Sequence, residues 1–245
     1  MVICIDIGNT DVKLGLFNKE GKLLEFSVRD KLENIRLDTL FNNEDLNYGI
    51  ISSTRNINIS TFQERNAGIH WLVFDNKTPV PVGNNYNTPQ TLGKDRLAAV
   101  SGAHTLWPGQ NVLVIDAGTC ITYDFISRAG VFEGGNISPG LTMRLQAMHH
   151  FTGMLPEVHM AESKTLIGKS TTEALQNGAY WGTIMEVRSF IVRMRKVYRS
   201  ITVVLTGGDA EIISRNLDTY VILRPHLVLE GLFAIIKYNI AIDTE

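Results

Sequence analysis

The chain has 245 residues, of which 44% are apolar and 20% charged, with 23 basic groups against 25 acidic ones. That composition excludes a disordered or collagen-like chain and leaves room for one large domain or two small ones. The net charge of -2 argues against generic electrostatic binding of nucleic acid, and the most apolar late stretch, 231–242, is interrupted by Lys237 and falls short of the roughly 20 residues that a bilayer-spanning helix needs.

The chain begins Met1-Val2-Ile3-Cys4-Ile5-Asp6, with neither a basic n-region nor a small-residue cleavage site. It therefore reads as a first strand, not a signal peptide, and a cytoplasmic protein is expected. Both cysteines, Cys4 and Cys120, lie in apolar runs far apart; in a reducing compartment such thiols are expected to be buried and inert, without a disulfide framework. The first apolar run ends in Asp6-Ile7-Gly8-Asn9-Thr10. Val12, Leu14 and Leu16 then alternate up to a turn at 18–21, and 23–28 resumes an extended pattern.

Between 60 and 106 the chain predicts a short helix at 60–66, a strand at 72–74, a loop rich in Asn and Pro at 76–89, and a helix over Lys94–Leu106 that stops at Pro108-Gly109. The opening pattern then returns. Val112-Leu113-Val114-Ile115 runs into Asp116-Ala117-Gly118-Thr119, Ile121, Tyr123 and Phe125 alternate up to a turn at 127–130, and Val131-Phe132 resumes. A repeated unit of strand, Asp-x-Gly turn, strand, turn, strand predicts two similar lobes, 1–108 and 109–245. Further on, Tyr180, Ile184, Val187, Ile191, Met194 and Tyr198 mark one face of a long helix over 170–199. Its terminal Arg193, Arg195, Lys196 and Arg199 suit the helix C-terminus and solvent. A third strand runs into Gly207-Gly208-Asp209, and an apolar helix at 228–240 closes the chain.

The chemistry of these positions is partly legible. Asp6 and Asp116 end buried strands beside glycines, where backbone amides approach a phosphate closely; a carboxylate there tolerates phosphate only across a cation. The pair points to a metal-bridged nucleotide phosphate, with the Thr hydroxyls and Lys13 as donors, although Lys13 equally suits the surface of a meander strand. Neither a Walker loop nor a Gly-x-Gly-x-x-Gly fingerprint occurs. Gly207-Gly208 offers either a flat backbone for a purine or a tight strand-to-helix turn. Asp95 is either a general base or an acid that complements a helix start. His149 and His150 are adjacent and cannot both face one site from a helix, so no metal role is expected of them. Trp71, Trp107 and Trp181 suit core or interface.

Asp6-x-Gly8-Asn9-Thr10, Asp116-x-Gly118-Thr119 and Gly207-Gly208-Asp209 resemble the phosphate 1, phosphate 2 and adenosine motifs of the acetate and sugar kinase, Hsp70 and actin superfamily (ASKHA). Tyr86-Asn87-Thr88-Pro89-Gln90-Thr91-Leu92-Gly93-Lys94-Asp95-Arg96 is similar to the substrate motif of type III pantothenate kinase, in which a Tyr precedes Gly-x-Asp-Arg by seven residues. The segments Gly134-Gly135-Asn136-Ile137-Ser138-Pro139-Gly140-Leu141 and Gly168-Lys169-Ser170-Thr171 are similar to second-lobe motifs of that family. The chain departs from the family pattern at Thr88, Lys94 and Asn136.

The resemblance implies an α/β fold of two ribonuclease H-like lobes, with mixed β-sheets flanked by helices in the actin-like ATPase (ASKHA) arrangement. It implies ATP-dependent phosphorylation of pantothenate to 4'-phosphopantothenate, the first step of coenzyme A biosynthesis, with Asp95 as catalytic base. By the same likeness Asp6, Ile7, Gly8, Asn9, Thr10, Asp11, Val12, Lys13 and Thr119 contact ATP, and Gly207 and Gly208 face its adenosine. Tyr86, Gly93, Lys94, Asp95, Arg96 and Thr171 contact the substrate, and Asp116 holds a monovalent cation, K⁺ or NH4⁺. Mg²⁺ accompanies the nucleotide, held largely by phosphates and water. A homodimer is implied, without nucleic-acid or membrane partners. Two other readings remain open at this stage: a kinase of the same fold acting on a sugar, polyol or carboxylate, and a nucleotide switch that phosphorylates nothing.

Overall fold

The structure, a computed structural model, describes residues 1–32, 35–41, 46–55, 57–163 and 165–243. In chain order its elements are β1 (Val2–Ile7), β2 (Val12–Phe17), β3 (Leu23–Arg29), α1 (Leu37–Leu40), β4 (Tyr48–Ser53), α2 (Ser60–Arg65), β5 (His70–Val73), β6 (Gly83–Asn84), α3 (Lys94–Leu106), β7 (Val112–Ala117), β8 (Cys120–Ile126), β9 (Val131–Pro139), α4 (Leu141–His150), α5 (Thr171–Val197), β10 (Thr202–Thr206), α6 (Ala210–Ser214), β11 (Ile222–Leu223) and α7 (Leu227–Asp243). They fall into two compact units. One comprises Met1–Gly109, Ile126–Gly134 and His226–Glu245, the other Gln110–Phe125 and Gly135–Pro225. A lobe running unbroken over 109–245 thus differs from this division, because the chain returns to the first unit twice after residue 110.

In the first unit the sheet order is β3-β2-β1-β4-β5, with β1 antiparallel to β2 and parallel to β4. All six residues of β1 are buried, because the strand is central and covered on both faces. Strand alternation sends Ile3, Ile5 and Ile7 into a cluster with Leu32, Ile35, Phe41 and Phe62. Val2 and Cys4 point to the other face, where they pack with Ala98 of α3 and Leu229, Leu232 and Ile235 of α7. Burial pushes the Cys4 thiol well above its ordinary range, so it is inert packing. The return of α7 depends on small residues: a Cβ at Gly231 would overlap the Ala98 carbonyl, and one at Gly102 would stand 2.8 Å from the Leu227 carbonyl oxygen. The backbones of α3 and α7 are therefore in direct contact.

The other sheet has the order β11-β10-β7-β8-β9-β6. Its run β9-β8-β7-β10-β11 repeats the order β3-β2-β1-β4-β5, which is the topological form of the sequence echo. β10 is parallel to both β7 and β11. β6 falls inside the segment expected to be all loop; its Gly83 and Asn84 pair with Val131 and Phe132 of β9. In the second unit Leu113, Ile115 and Ala117 pack with Val187 and Ile191 of α5 and with Val203 and Leu205 of β10. α5 starts where Ser170 accepts a hydrogen bond from the Glu173 N–H at 3.2 Å, while the Glu173 carboxylate accepts from the Lys169 N–H at 2.6 Å. Cys120, at the head of β8, is only half-buried, since it follows an exposed turn residue, Thr119. Among the described residues no helix is long and apolar enough to cross a membrane.

Candidate active site

The Asp6 segment lies at the C-terminal end of β1. Asp6 is buried and stands opposite Lys13 of β2 and Ser52 of β4, so a carboxylate, an ammonium and a hydroxyl share one face of the sheet. The following turn closes when the Gly8 N–H donates to the Asp11 carbonyl at 3.0 Å. It is pinned to β4 as well, because the Thr54 N–H and hydroxyl both donate to the Ile7 carbonyl, at 3.0 and 3.2 Å. The Gly8 amide is therefore committed to the turn. Asn9 and Thr10 are the exposed tips of the loop.

The segment from Tyr86 to Arg96 folds so that its ends meet. The Tyr86 N–H donates to the Asn84 carboxamide oxygen at 2.9 Å, a turn of 3₁₀ helix occupies Pro89–Thr91, and Gly93 caps the start of α3. The guanidinium carbon of Arg96 then lies 5.6 Å from the Tyr86 ring centroid and 5.8 Å from that of Phe132, the two rings being stacked with centroids 5.9 Å apart. Arg96 is only 6% exposed, and the two aromatic faces compensate a cation largely removed from water. Asp95 is the second residue of α3, where the helix dipole favours negative charge, and its Oδ1 accepts from the Arg96 N–H at 2.9 Å. A Cβ on Gly93 would stand 2.5 Å from that oxygen, so glycine is what leaves room for the carboxylate. Lys94 is half-buried beside it. Tyr86, Gly93, Lys94, Asp95 and Arg96 are thus gathered in one place, with Phe132 added from β9.

In the second unit Asp116 ends β7, and the Gly118 N–H donates to the Cys120 carbonyl at 2.9 Å to close the turn that presents Thr119. Gly207 has φ +95°, and a Cβ there would overlap both the Asp116 carboxylate and the Ala117 carbonyl. The Asp209 N–H bonds the same carbonyl at 2.9 Å. Asp116 and Gly207 therefore lie against one another, whereas Thr119 is exposed and Gly208 is exposed with open space around its Cα. Burial pushes the carboxyl of Asp209 above its usual range. Thr171 is the exposed first residue of α5. Among the described residues no three His, Cys, Asp or Glu side chains gather as a metal cage.

The sequence profile of the family described as type III pantothenate kinase matches residues 2–193. This chain belongs to the type III pantothenate kinase family. A type III pantothenate kinase of Bacteroides fragilis is 40% identical over 243 residues, covering 98% of each chain, and one of Phocaeicola vulgatus is 42% identical over 240 residues, covering 98% of this chain and 99% of the relative. Two solved structures share the fold at low identity. The activator of 2-hydroxyisocaproyl-CoA dehydratase from Clostridium difficile, with bound ADPNP, gives a TM-score of 0.55 at 11% identity over 100% of this chain and 97% of its own. A ROK family glucokinase from Streptomyces griseus, in complex with glucose and AMPPNP, gives 0.52 at 11% identity over 94% and 97%. The fold is that of the actin-like ATPases and sugar kinases.

In this chain, motif reading alone leaves out two groups of residues. One is Phe132, just ahead of the Gly134-Gly135 motif; its aromatic character beside a glycine pair was the available signal. The other surrounds Glu186 of α5. Its Oε1 accepts from the Tyr123 hydroxyl at 2.7 Å and the Ser138 hydroxyl at 2.6 Å, and its Oε2 from Arg144 at 2.5 Å. Burial works against ionisation of Glu186, but the bonds from Ser138, Arg144 and Tyr123 outweigh it and hold the carboxyl below its usual range. Burial and the neighbouring carboxylate push the Tyr123 phenol far above its own. Helical periodicity places Glu186 on α5 without revealing these partners.

Proposed function

We propose that the protein transfers the γ-phosphoryl group of ATP to the 4' hydroxyl of pantothenate, giving 4'-phosphopantothenate at the entry to coenzyme A biosynthesis, with Asp95 as general base. The observation that carries this reading is Arg96, buried against the stacked Tyr86 and Phe132 rings immediately after Asp95, in a chain of this family. A fixed guanidinium fork suits the carboxylate of pantothenate, and the rings give its apolar part a surface. Held from that end, the hydroxyl is presented to Asp95. A bond forms between the hydroxyl oxygen and the γ-phosphorus as the bond from that phosphorus to the β–γ bridging oxygen breaks; ADP leaves and the hydroxyl proton passes to Asp95. Catalysis of this kind is mostly positioning and charge neutralisation.

We assign the nucleotide contacts to Asp6, Ile7, Gly8, Asn9, Thr10, Asp11, Val12, Lys13 and Thr119, with Gly207 and Gly208 toward the adenosine. Lys13, opposite Asp6 in the β1–β2 pair, supplies positive charge on the face that carries the carboxylate. The donor set fits a nucleotide with Mg²⁺ held by its phosphates and water, the ion neutralising charge on the transferred group, because a single carboxylate and hydroxyls suit a partly hydrated ion. Asp116 suits K⁺ or NH4⁺: Gly207 leaves its carboxylate free of a crowding side chain, and carbonyl oxygens such as that of Ala117 lie close by. Thr171 completes the substrate contacts in this reading, from the neighbouring copy of a homodimer. We place the enzyme in the cytoplasm.

The test is ADP release by the purified protein with a panel of acceptors, run in potassium and in sodium. Pantothenate alone should accelerate release, more in potassium or ammonium than in sodium. Acceleration by a sugar or polyol would move the acceptor, and slow hydrolysis indifferent to every acceptor would make the protein a nucleotide switch.

A further inference from the structure

We propose that Glu186 is a positioning residue for the turn Gly118-Thr119, acting through Ser138, Arg144 and the Pro139-Gly140 backbone; the proposal rests on the reading of that turn as part of the ATP site. Glu186 touches neither Gly118 nor Thr119. It is carried by α5, a helix of 27 residues whose buried face is anchored in the core of the second unit, and so it is a rigid post. From that post run two arms. The Ser138 hydroxyl donates to Oε1 at 2.6 Å and fixes the chain just ahead of Pro139. Arg144 donates one guanidinium N–H to Oε2 at 2.5 Å and another, from Nε, to the Pro139 carbonyl at 2.9 Å. The arms converge on the Pro139-Gly140 segment from both sides.

That segment is the wall of the turn. The Gly140 N–H donates to the Thr119 carbonyl at 3.1 Å, and the Gly140 carbonyl accepts from the Arg144 N–H at 3.0 Å. Even a Cβ on Gly140 would overlap the carbonyl oxygens of Gly118 and Thr119. With no slack at this contact, a displacement of residue 140 moves residues 118 and 119. An acid at 186 gathers the two arms because one carboxylate accepts from several donors at once, and a guanidinium bridges it to a backbone carbonyl where an ammonium cannot do both with fixed geometry. Tyr123 donates to the same carboxylate at 2.7 Å and its hydroxyl neighbours that of Ser138, yet it makes no bond to Pro139 or Gly140, so it is the internal control.

Steady-state kinetics test this, with ATP and pantothenate varied in turn, alongside thermal melting. Glu186→Ala and Arg144→Lys are each expected to raise the KM for ATP at least ten-fold and to change the KM for pantothenate less than two-fold. Tyr123→Phe is expected to lower the melting temperature and leave both KM values within two-fold. Arg144→Lys keeps the charge and serves if Glu186→Ala does not fold. A KM for ATP within two-fold of wild type in the soluble Glu186 or Arg144 variant, or a Tyr123→Phe defect equal to theirs, would overturn the proposal in favour of a plain structural staple. Thr119→Val separates the two readings. If it raises the KM for ATP while Glu186→Ala and Arg144→Lys do not, only this inference falls; if it leaves ATP binding untouched, the assignment of the turn to ATP falls and this inference with it.

Discussion

Asp95 shows how much chemistry one residue borrows from its neighbours. Its place as the second residue of α3 supplies the dipole, Gly93 supplies room, and Arg96 holds the backbone bond to its Oδ1. If it is the proton acceptor, Asp95→Asn preserves the shape and the helix start but removes the base. The expected outcome is a fall in kcat of about 10²–10⁴-fold, the usual range for removal of a general base, with the KM for ATP little changed and the melting curve retained. A variant with near-normal kcat would take the base role from Asp95. At this scale the sequence was legible where residue type and order carry the meaning: Tyr86, Gly93, Asp95 and Arg96 all lie in one segment. Phe132 was not, because its pairing with Arg96 is set by where β9 passes α3 and not by any local pattern.

At the scale of elements, α3 and α7 pack backbone to backbone through Gly102 and Gly231. This contact sets the position of α3, which carries Asp95 and Arg96 at its start. Gly231→Ala gains about 1 kcal/mol of helix propensity, but its methyl would overlap the carbonyl of Ala98, and relief requires the helices to separate. Overpacking of this kind costs about 1–3 kcal/mol, more where backbone is the neighbour. Net destabilisation is expected, a loss of several degrees in the melting temperature, with kcat falling in proportion to the displacement of α3. A melting temperature at or above wild type would show that the helices tolerate the methyl. The two helices were both legible from apolar patterning and breakers, one of them within the same residues, Lys94–Leu106. Their pairing was not, since a glycine in a helix looks the same whether it faces solvent or another backbone.

For the whole molecule, the second unit exposes Phe151 at 82%, Met154 at 95%, Leu166 at 58% and Ile167 at 75%, in the loop that leads to Thr171. Large apolar side chains so exposed in one segment suit a surface that is covered by a partner, in keeping with the proposed homodimer. Sedimentation velocity should give twice the monomer mass of 27.3 kDa. Replacement of Leu166 and Ile167 together by Glu should yield monomer with reduced turnover; a wild-type monomer at full activity would remove the dimer and the role given to Thr171.

The order of strand, Asp-x-Gly turn and strand was determined by local periodicity, and it sufficed for the repeated run of three strands, β1-β2-β3 and β7-β8-β9, and for the position of the two Asp-x-Gly turns, while the ordered motifs along the chain sufficed for the family. These features depend on residues close in the chain, whose alternation and turn chemistry are visible without a fold. Only the tertiary structure decided the rest: that α7 returns to the first unit, that Gly8 and Gly118 spend their amides on their own turns, that Arg96 lies against Phe132, and that Glu186 gathers Tyr123, Ser138 and Arg144. Each joins residues distant in sequence, and its energy comes from burial and from hydrogen bonds that exist only once the sheets and helices have packed.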